Sequence, residues 1–82
     1  MTPLNTPLRV ATIFSPGPTI RPVWFEWRRQ KRTIKEITYS WQEKTGQSLL
    51  LHYCVTDGES LYELVYDTSR QIWVLTGIEA AS

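Results

Sequence analysis

His52 and Cys54 are the one histidine and the one thiol of this 82-residue chain. Two residues apart on a strand, they would share a face. Such a pair is the minimum for a thiolate with its base, or for two ligands of a metal ion. Neither chemistry is complete in the sequence, because one His beside one Cys is not a metal set and no Asp or Asn is spaced to orient the imidazole. Both are read as side chains on the strand face opposite Tyr53. Asp57, Glu59, Glu63 and Asp67 are the other candidates, as an acid–base pair or a hard-cation site. Asp57 is better explained by its place before Gly58 in a turn, and Glu63 by a solvated strand face. No Gly-rich phosphate loop, Asp-rich calcium loop or zinc spacing occurs. The sequence therefore speaks against an enzyme, and it implies no metal and no cofactor.

One cluster has the composition of a binding surface. Arg28, Arg29, Lys31, Arg32 and Lys35 follow or interleave with Trp24 and Trp27. On a sheet they would form a cationic hairpin beside aromatic rings, which can neutralise a phosphate backbone and stack on bases. The same composition also suits a hairpin tip kept soluble and protected from pairing with another edge. A net charge of only +1 argues against a dedicated nucleic-acid binder. Charge is nonetheless uneven: residues 1–44 hold eight basic and three acidic side chains, and residues 45–82 one basic and five acidic. Halves of opposite sign can orient a partner or a second copy.

The elements that must position these residues are strands. All five prolines lie in the first 22 residues, so residues 1–21 read as a Pro-rich tail, loose over 1–8, with a short strand at 9–14 and a break at Ser15 to Pro18. Residues 22–80 read as one small β domain. Val23, Phe25 and Trp27 alternate with Trp24, Glu26 and Arg28, giving a strand over 23–29. Residues 32–41 are ambiguous, since Trp27, Ile34, Ile37 and Trp41 also fall at helical spacing. The β-branched and aromatic residues Thr33, Ile34, Ile37, Thr38 and Tyr39, with no N-cap ahead of them, favour a strand. A bulge between Ile34 and Ile37 would bring both onto one face. Further strands are expected at 49–56, 60–67 and 71–78, with Asp57-Gly58 as a type I′ hairpin turn. The expected fold is mainly β, a five- or six-stranded antiparallel meander curled toward a half-open barrel. Trp27, Trp41 and Trp73 are expected inside and Trp24 outside.

The pieces Pro22-x-x-Phe25-x-Trp27-Arg28, Ile34-x-x-Ile37-x-x-x-Trp41, Tyr53-x-Val55, Gly58, Tyr62-x-Leu64 and Trp73-x-Leu75-x-Gly77-Ile78-x-Ala80 stand in an order that resembles a family of small bacterial domains of unknown function. The pattern is also similar to the domain that closes some catalytically degenerate, polymerase-like mutagenesis proteins of the Y family. The resemblance covers about residues 22–80, and its matching positions are mostly aromatic and aliphatic, so it implies a fold rather than a site. Where those polymerase-linked domains carry a glycine after the Trp-Arg pair, this chain has Arg29. Where they carry an Arg-Asp pair, it has Leu51-His52. The first departure implies a more basic and less tight hairpin.

Apolar runs far below spanning length, the absence of a signal-peptide pattern at the N-terminus and a single cysteine suggest a reduced, cytoplasmic setting without a membrane. The sequence points to a small non-catalytic interaction module that binds a protein partner or itself. The alternative is a nucleic-acid-associated accessory protein. In either case the candidate surface is Trp24, Arg28, Arg29, Lys31, Arg32 and Lys35.

Overall fold

The alternation of large apolar and polar residues produces strands throughout the computed structural model, which describes residues 2–17 and 19–80. In chain order they are β1 (Thr2–Leu8), β2 (Val10–Ser15), β3 (Thr19–Trp27), β4 (Gln30–Thr33), β5 (Glu36–Thr45), β6 (Ser48–Thr56), β7 (Ser60–Asp67) and β8 (Ile72–Ala80). They form two antiparallel sheets, a five-stranded one in the order β1-β8-β7-β6-β5 and a three-stranded one in the order β2-β3-β4. The run from β5 to β8 is a meander of four strands, fewer than the five or six expected, because β3 and β4 pair with β2 in the second sheet. The sheets do not close into a barrel. Among the described residues no helix is long and apolar enough to cross a membrane.

The core lies between the sheets. Phe25 of β3 is fully buried and meets the Tyr62 ring of β7 edge-on, with centroids 4.9 Å apart. Leu51, Val55, Leu64, Tyr66, Trp73 and Leu75 complete the buried cluster from the large sheet. Two aromatic side chains also place their polar ends on the opposite sheet. The Trp73 indole N–H donates to the Thr12 hydroxyl at 3.0 Å, and the Tyr53 hydroxyl donates to the Ile20 carbonyl at 2.7 Å. A ring that buries its body and satisfies its polar tip fixes orientation as well as contributing area.

The chain passes from one sheet to the other within one residue. The Ile34 N–H donates to the Val23 carbonyl in the small sheet, and the Lys35 N–H donates to the Thr56 carbonyl in the large one. The expected strand over 32–41 is therefore two strands in two sheets, β4 and β5. Ile34 and Ile37 both pack on the core, as expected, but across this crossing rather than across a bulge. The bulge falls one step later, between Ile37 and Tyr39. Because side chains alternate along a strand, one extra residue moves everything beyond it to the other face. Ile37 faces inward, while Tyr39 and Trp41 face outward.

That shift corrects the expectation that Trp41 is a core residue. Its ring lies on the outer face of the large sheet, stacked on the imidazole of His52 with centroids 4.5 Å apart. Trp73 is buried as expected, whereas Trp27 is half-buried against the core and Trp24 is half-buried rather than fully exposed. Residues 1–8 are a second correction, for Thr2–Leu8 is not a loose tail but the edge strand β1, paired with β8. An edge strand tolerates Pro3 and Pro7 because one of its sides needs no donors. Leu4 and Leu8 anchor it to the core. Two turns also differ from expectation. Arg28 and Arg29 both adopt positive φ, at 54° and 63°, between the paired residues Trp27 and Gln30, so the first hairpin turn is a tight two-residue one. The turn at Asp57-Gly58 is longer, with Thr56 and Leu61 as the last pair, and only Gly58 takes positive φ.

These positions set an order of cost. Phe25→Ala is expected to destabilise the fold by about 3–5 kcal/mol, enough to unfold much of so small a domain. Trp41→Ala, on an outer face, is expected to cost under about 1 kcal/mol. Urea unfolding followed by circular dichroism checks the order, and a larger loss in Trp41→Ala would place that ring in the core after all.

Candidate interaction surface

The β3–β4 hairpin divides the six sequence-predicted residues by the alternation of its strands. Directly paired residues share a face, and the pairs are Trp24 with Thr33, Phe25 with Arg32, Glu26 with Lys31, and Trp27 with Gln30. Trp24 and Lys31 therefore lie on the outer face, where the Lys31 ammonium sits 4.9 Å from the centroid of the Trp24 ring. At the turn, the Arg28 guanidinium lies 5.2 Å from the centroid of the Trp27 ring. Each is a cation–π pair on a partly desolvated indole, the arrangement that adds to simple ring burial. Arg29 is exposed at the tip. On the same outer side, Arg9 and Glu26 approach to 3.6 Å as an exposed pair of the kind that contributes little.

Trp27 lies on the inner face with Phe25, so the Trp27–Arg28 pair is on the opposite side of the hairpin from Trp24–Lys31, and Arg32 and Lys35 are drawn further inward. Arg32 shares the inner face with Phe25, and its side chain is only 23% exposed. One of its terminal nitrogens donates to Gln30 Oε1 at 3.2 Å, another lies 3.6 Å from Asp57 Oδ2, and Nε is covered and without a partner. It acts as a strut from the small sheet to the β6–β7 turn. Lys35 lies along Gly58, so close that a Cβ there would sit 2.9 Å from Nζ.

Asp57 receives that strut and organises the turn around itself. Its Oδ1 accepts the backbone N–H groups of Glu59 and Ser60, both at 2.9 Å, and its Oδ2 accepts the Tyr62 hydroxyl at 3.1 Å. Burial by itself would push this carboxyl up. The N–H groups of Ser60 and Glu59, the Tyr62 hydroxyl and the Arg32 charge outweigh that effect and hold it below the usual carboxylate range. Tyr62 moves the other way, raised by burial and by its bond to the Asp57 carboxylate. A cleft of about 420 Å³ opens beside the strut, with Trp27, Arg28, Ser60 and Ile78 in its walls.

Nothing among family models, curated proteins or solved structures matches the chain.

His52 and Cys54 lie on the outer face of the large sheet, opposite Tyr53 as the alternation requires. An orienting group that the spacing did not reveal is present, since Glu43 Oε1 lies 3.0 Å from His52 Nε2. The thiol of Cys54 is pushed up by burial and by the charge of Glu63, which lowers its thiolate fraction at neutral pH. Among the described residues, no three of His, Cys, Asp and Glu gather as a metal set would. The band Tyr39–Trp41–His52 on this face has ring centroids 5.4 and 4.5 Å apart. The band was hidden in the sequence because a plain alternation places Tyr39 and Trp41 on the same face as Ile37.

The Asp57 geometry predicts an acid dependence of stability. A carboxyl whose pKa is lowered by folding contributes stability in full above its unfolded value of about 3.9, and loses it as pH falls through the lower folded value. Asp67 is shifted in the same direction, first by the Ser69 hydroxyl, so it adds to the same loss. Asp57→Asn is expected to lower stability at pH 7 and to flatten part of the decline below about pH 4, with the part due to Asp67 remaining. Urea midpoints between pH 3 and 7 test this; parallel curves for the two proteins would mean that Asp57 is not held ionised by the fold.

Proposed function

We propose that the chain is a small, non-catalytic interaction module that binds a protein partner through the cationic aromatic tip of β3–β4. The supporting observation is the presence of two Trp–cation pairs flanking one tight and fully paired hairpin turn, Trp24 with Lys31 on its outer face and Trp27 with Arg28 on its inner side. Trp and Arg are enriched among residues that dominate binding energy, and a rigid hairpin presents them with little entropy left to lose. With Arg29 at the tip, the surface suits an acidic patch on the partner. A reduced, cytoplasmic setting accords with the half-buried single thiol of Cys54.

The second reading is an accessory protein that contacts single-stranded nucleic acid. It is favoured by the same rings and cations, and by the resemblance to the closing domain of polymerase-like mutagenesis proteins. Two features weigh against it. Each indole already has a cation near its ring, so a base would have to displace that cation in order to stack there. Arg32 and Lys35 are withdrawn toward the β6–β7 turn, which leaves fewer cations for phosphates.

A photoreactive residue at position 33, exposed beside Trp24 on the outer face, discriminates between the readings in cells. The protein-binding reading expects a discrete protein adduct that disappears when Arg28→Asn and Arg29→Gly are introduced, a change that keeps the turn because Asn-Gly prefers its backbone. Nucleic-acid adducts instead, together with affinity for a labelled single strand that falls steeply with salt, would overturn it in favour of the second reading.

A further inference from the structure

We infer that the free edge of β5 is a docking site for the β5 strand of a second copy of this chain. The inference is independent of the hairpin surface, which lies on the other sheet. An exposed edge offers a row of unpaired N–H and C=O groups, and soluble proteins blunt such rows with prolines, charges, bulges or brevity. The β1 edge carries Pro3, Pro7 and an irregularity between Pro3 and Thr6. The β4 edge is four residues long and includes Lys31 and Arg32. The β2 edge is only six residues long, and its pairing with β3 is broken by a register shift whose extra residue, Val23, lies in β3.

The β5 edge offers the longest row, and its charges, Glu36, Glu43 and Lys44, lie toward its ends. At ten residues it is the longest strand, it has β6 as its one neighbour in the sheet, and it contains neither proline nor glycine. Its bulge lies near one end and leaves Tyr39 to Thr45 in unbroken register with β6. Residues 37–42, Ile-Thr-Tyr-Ser-Trp-Gln, carry no charge and are rich in β-branched and aromatic side chains, a composition that favours strand pairing. Eight of the ten residues are exposed, and only Ile37 and Trp41 are half-buried. Tyr39 is 64% exposed.

The strand also complements itself. An antiparallel pair centred on Trp41 sets Trp41 against Trp41 of the second copy, Ser40 against Gln42, and Tyr39 against Glu43. Tyr39, Trp41 and Glu43 share the outer face, so each opposed pair meets side to side and no like charges are opposed. A register centred one residue earlier would, across the bulge, carry Glu36 toward Glu43 of the second copy. The Trp41-centred pair is isologous and closes as a dimer. It would join the two large sheets into one and make the Tyr39–Trp41–His52 band continuous across the interface.

Sedimentation equilibrium on the full chain over a dilution series tests the inference. The expected result is a monomer–dimer equilibrium, with the dissociation constant raised about thirtyfold or more by Tyr39→Lys plus Trp41→Lys, as loss of an aromatic anchor does. Ile13→Lys, on the β2 edge, is expected to leave it unchanged. Should the double variant misfold by circular dichroism, amide exchange on the unaltered chain decides. Alternate β5 amides between residues 39 and 43 are expected to gain protection at high concentration. A chain that stays monomeric throughout the series would overturn the inference, as would a dimer that survives the double substitution in a folded protein or one abolished by Ile13→Lys.

Discussion

Two consecutive backbone amides bind this molecule's two sheets into one fold. The N–H of Ile34 completes the small sheet by donating to Val23, and the next, of Lys35, begins the pairing of the large sheet by donating to Thr56. A crossing this short cannot be displaced without breaking a bond in one sheet or the other. It sets Phe25 over Tyr62, allows Tyr53 and Trp73 to reach the backbone and side chain of the opposite sheet, and aims Arg32 at Asp57. Each of those contacts joins residues far apart in sequence, so loop-closure entropy opposes it until the crossing is in place. The crossing is therefore the constraint on which both the core and the outer surfaces depend.

Much of the β architecture is legible in the sequence because period-two alternation is a strong local signal. The strands β3, β6, β7 and β8 follow from it within a few residues, and Leu51, Val55, Tyr62, Leu64, Trp73 and Leu75 fall inside as the pattern requires. Events that shift the pattern by one residue are less legible. The bulge at Ile37/Tyr39 has no composition of its own, yet it decides that Trp41 faces outward. The crossing at Ile34-Lys35 looks like the middle of one strand because both flanks are strand-forming. At β1, Pro3 and Pro7 mask a strand because proline is weighed against pairing on both sides, while an edge strand pairs on one.

The same division holds for the candidate surface. Its residue types were visible, but their grouping depended on a turn that the composition conceals. Two arginines at positive φ occupy positions where Asn and Gly would announce a two-residue turn. That turn places Lys31 across from Glu26 and over Trp24, and it directs Arg32 inward with Phe25. The structure thus sorts one charge cluster into two cation–indole pairs, Trp24 with Lys31 on the outer face and Trp27 with Arg28 on the inner side, and a strut that supports the fold. The outer band of the large sheet shows the converse, for the sequence pattern places Trp41 in the core and the bulge turns it out.

Amide hydrogen exchange at Ile34 and Lys35 tests the crossing most directly. If both N–H groups hold the sheets together, they exchange only through opening of the whole domain, at a rate matching the slowest amides of β6 and β7. Fast exchange at either residue, with β6 and β7 still protected, would show that the sheets open independently and that the crossing does not bind them.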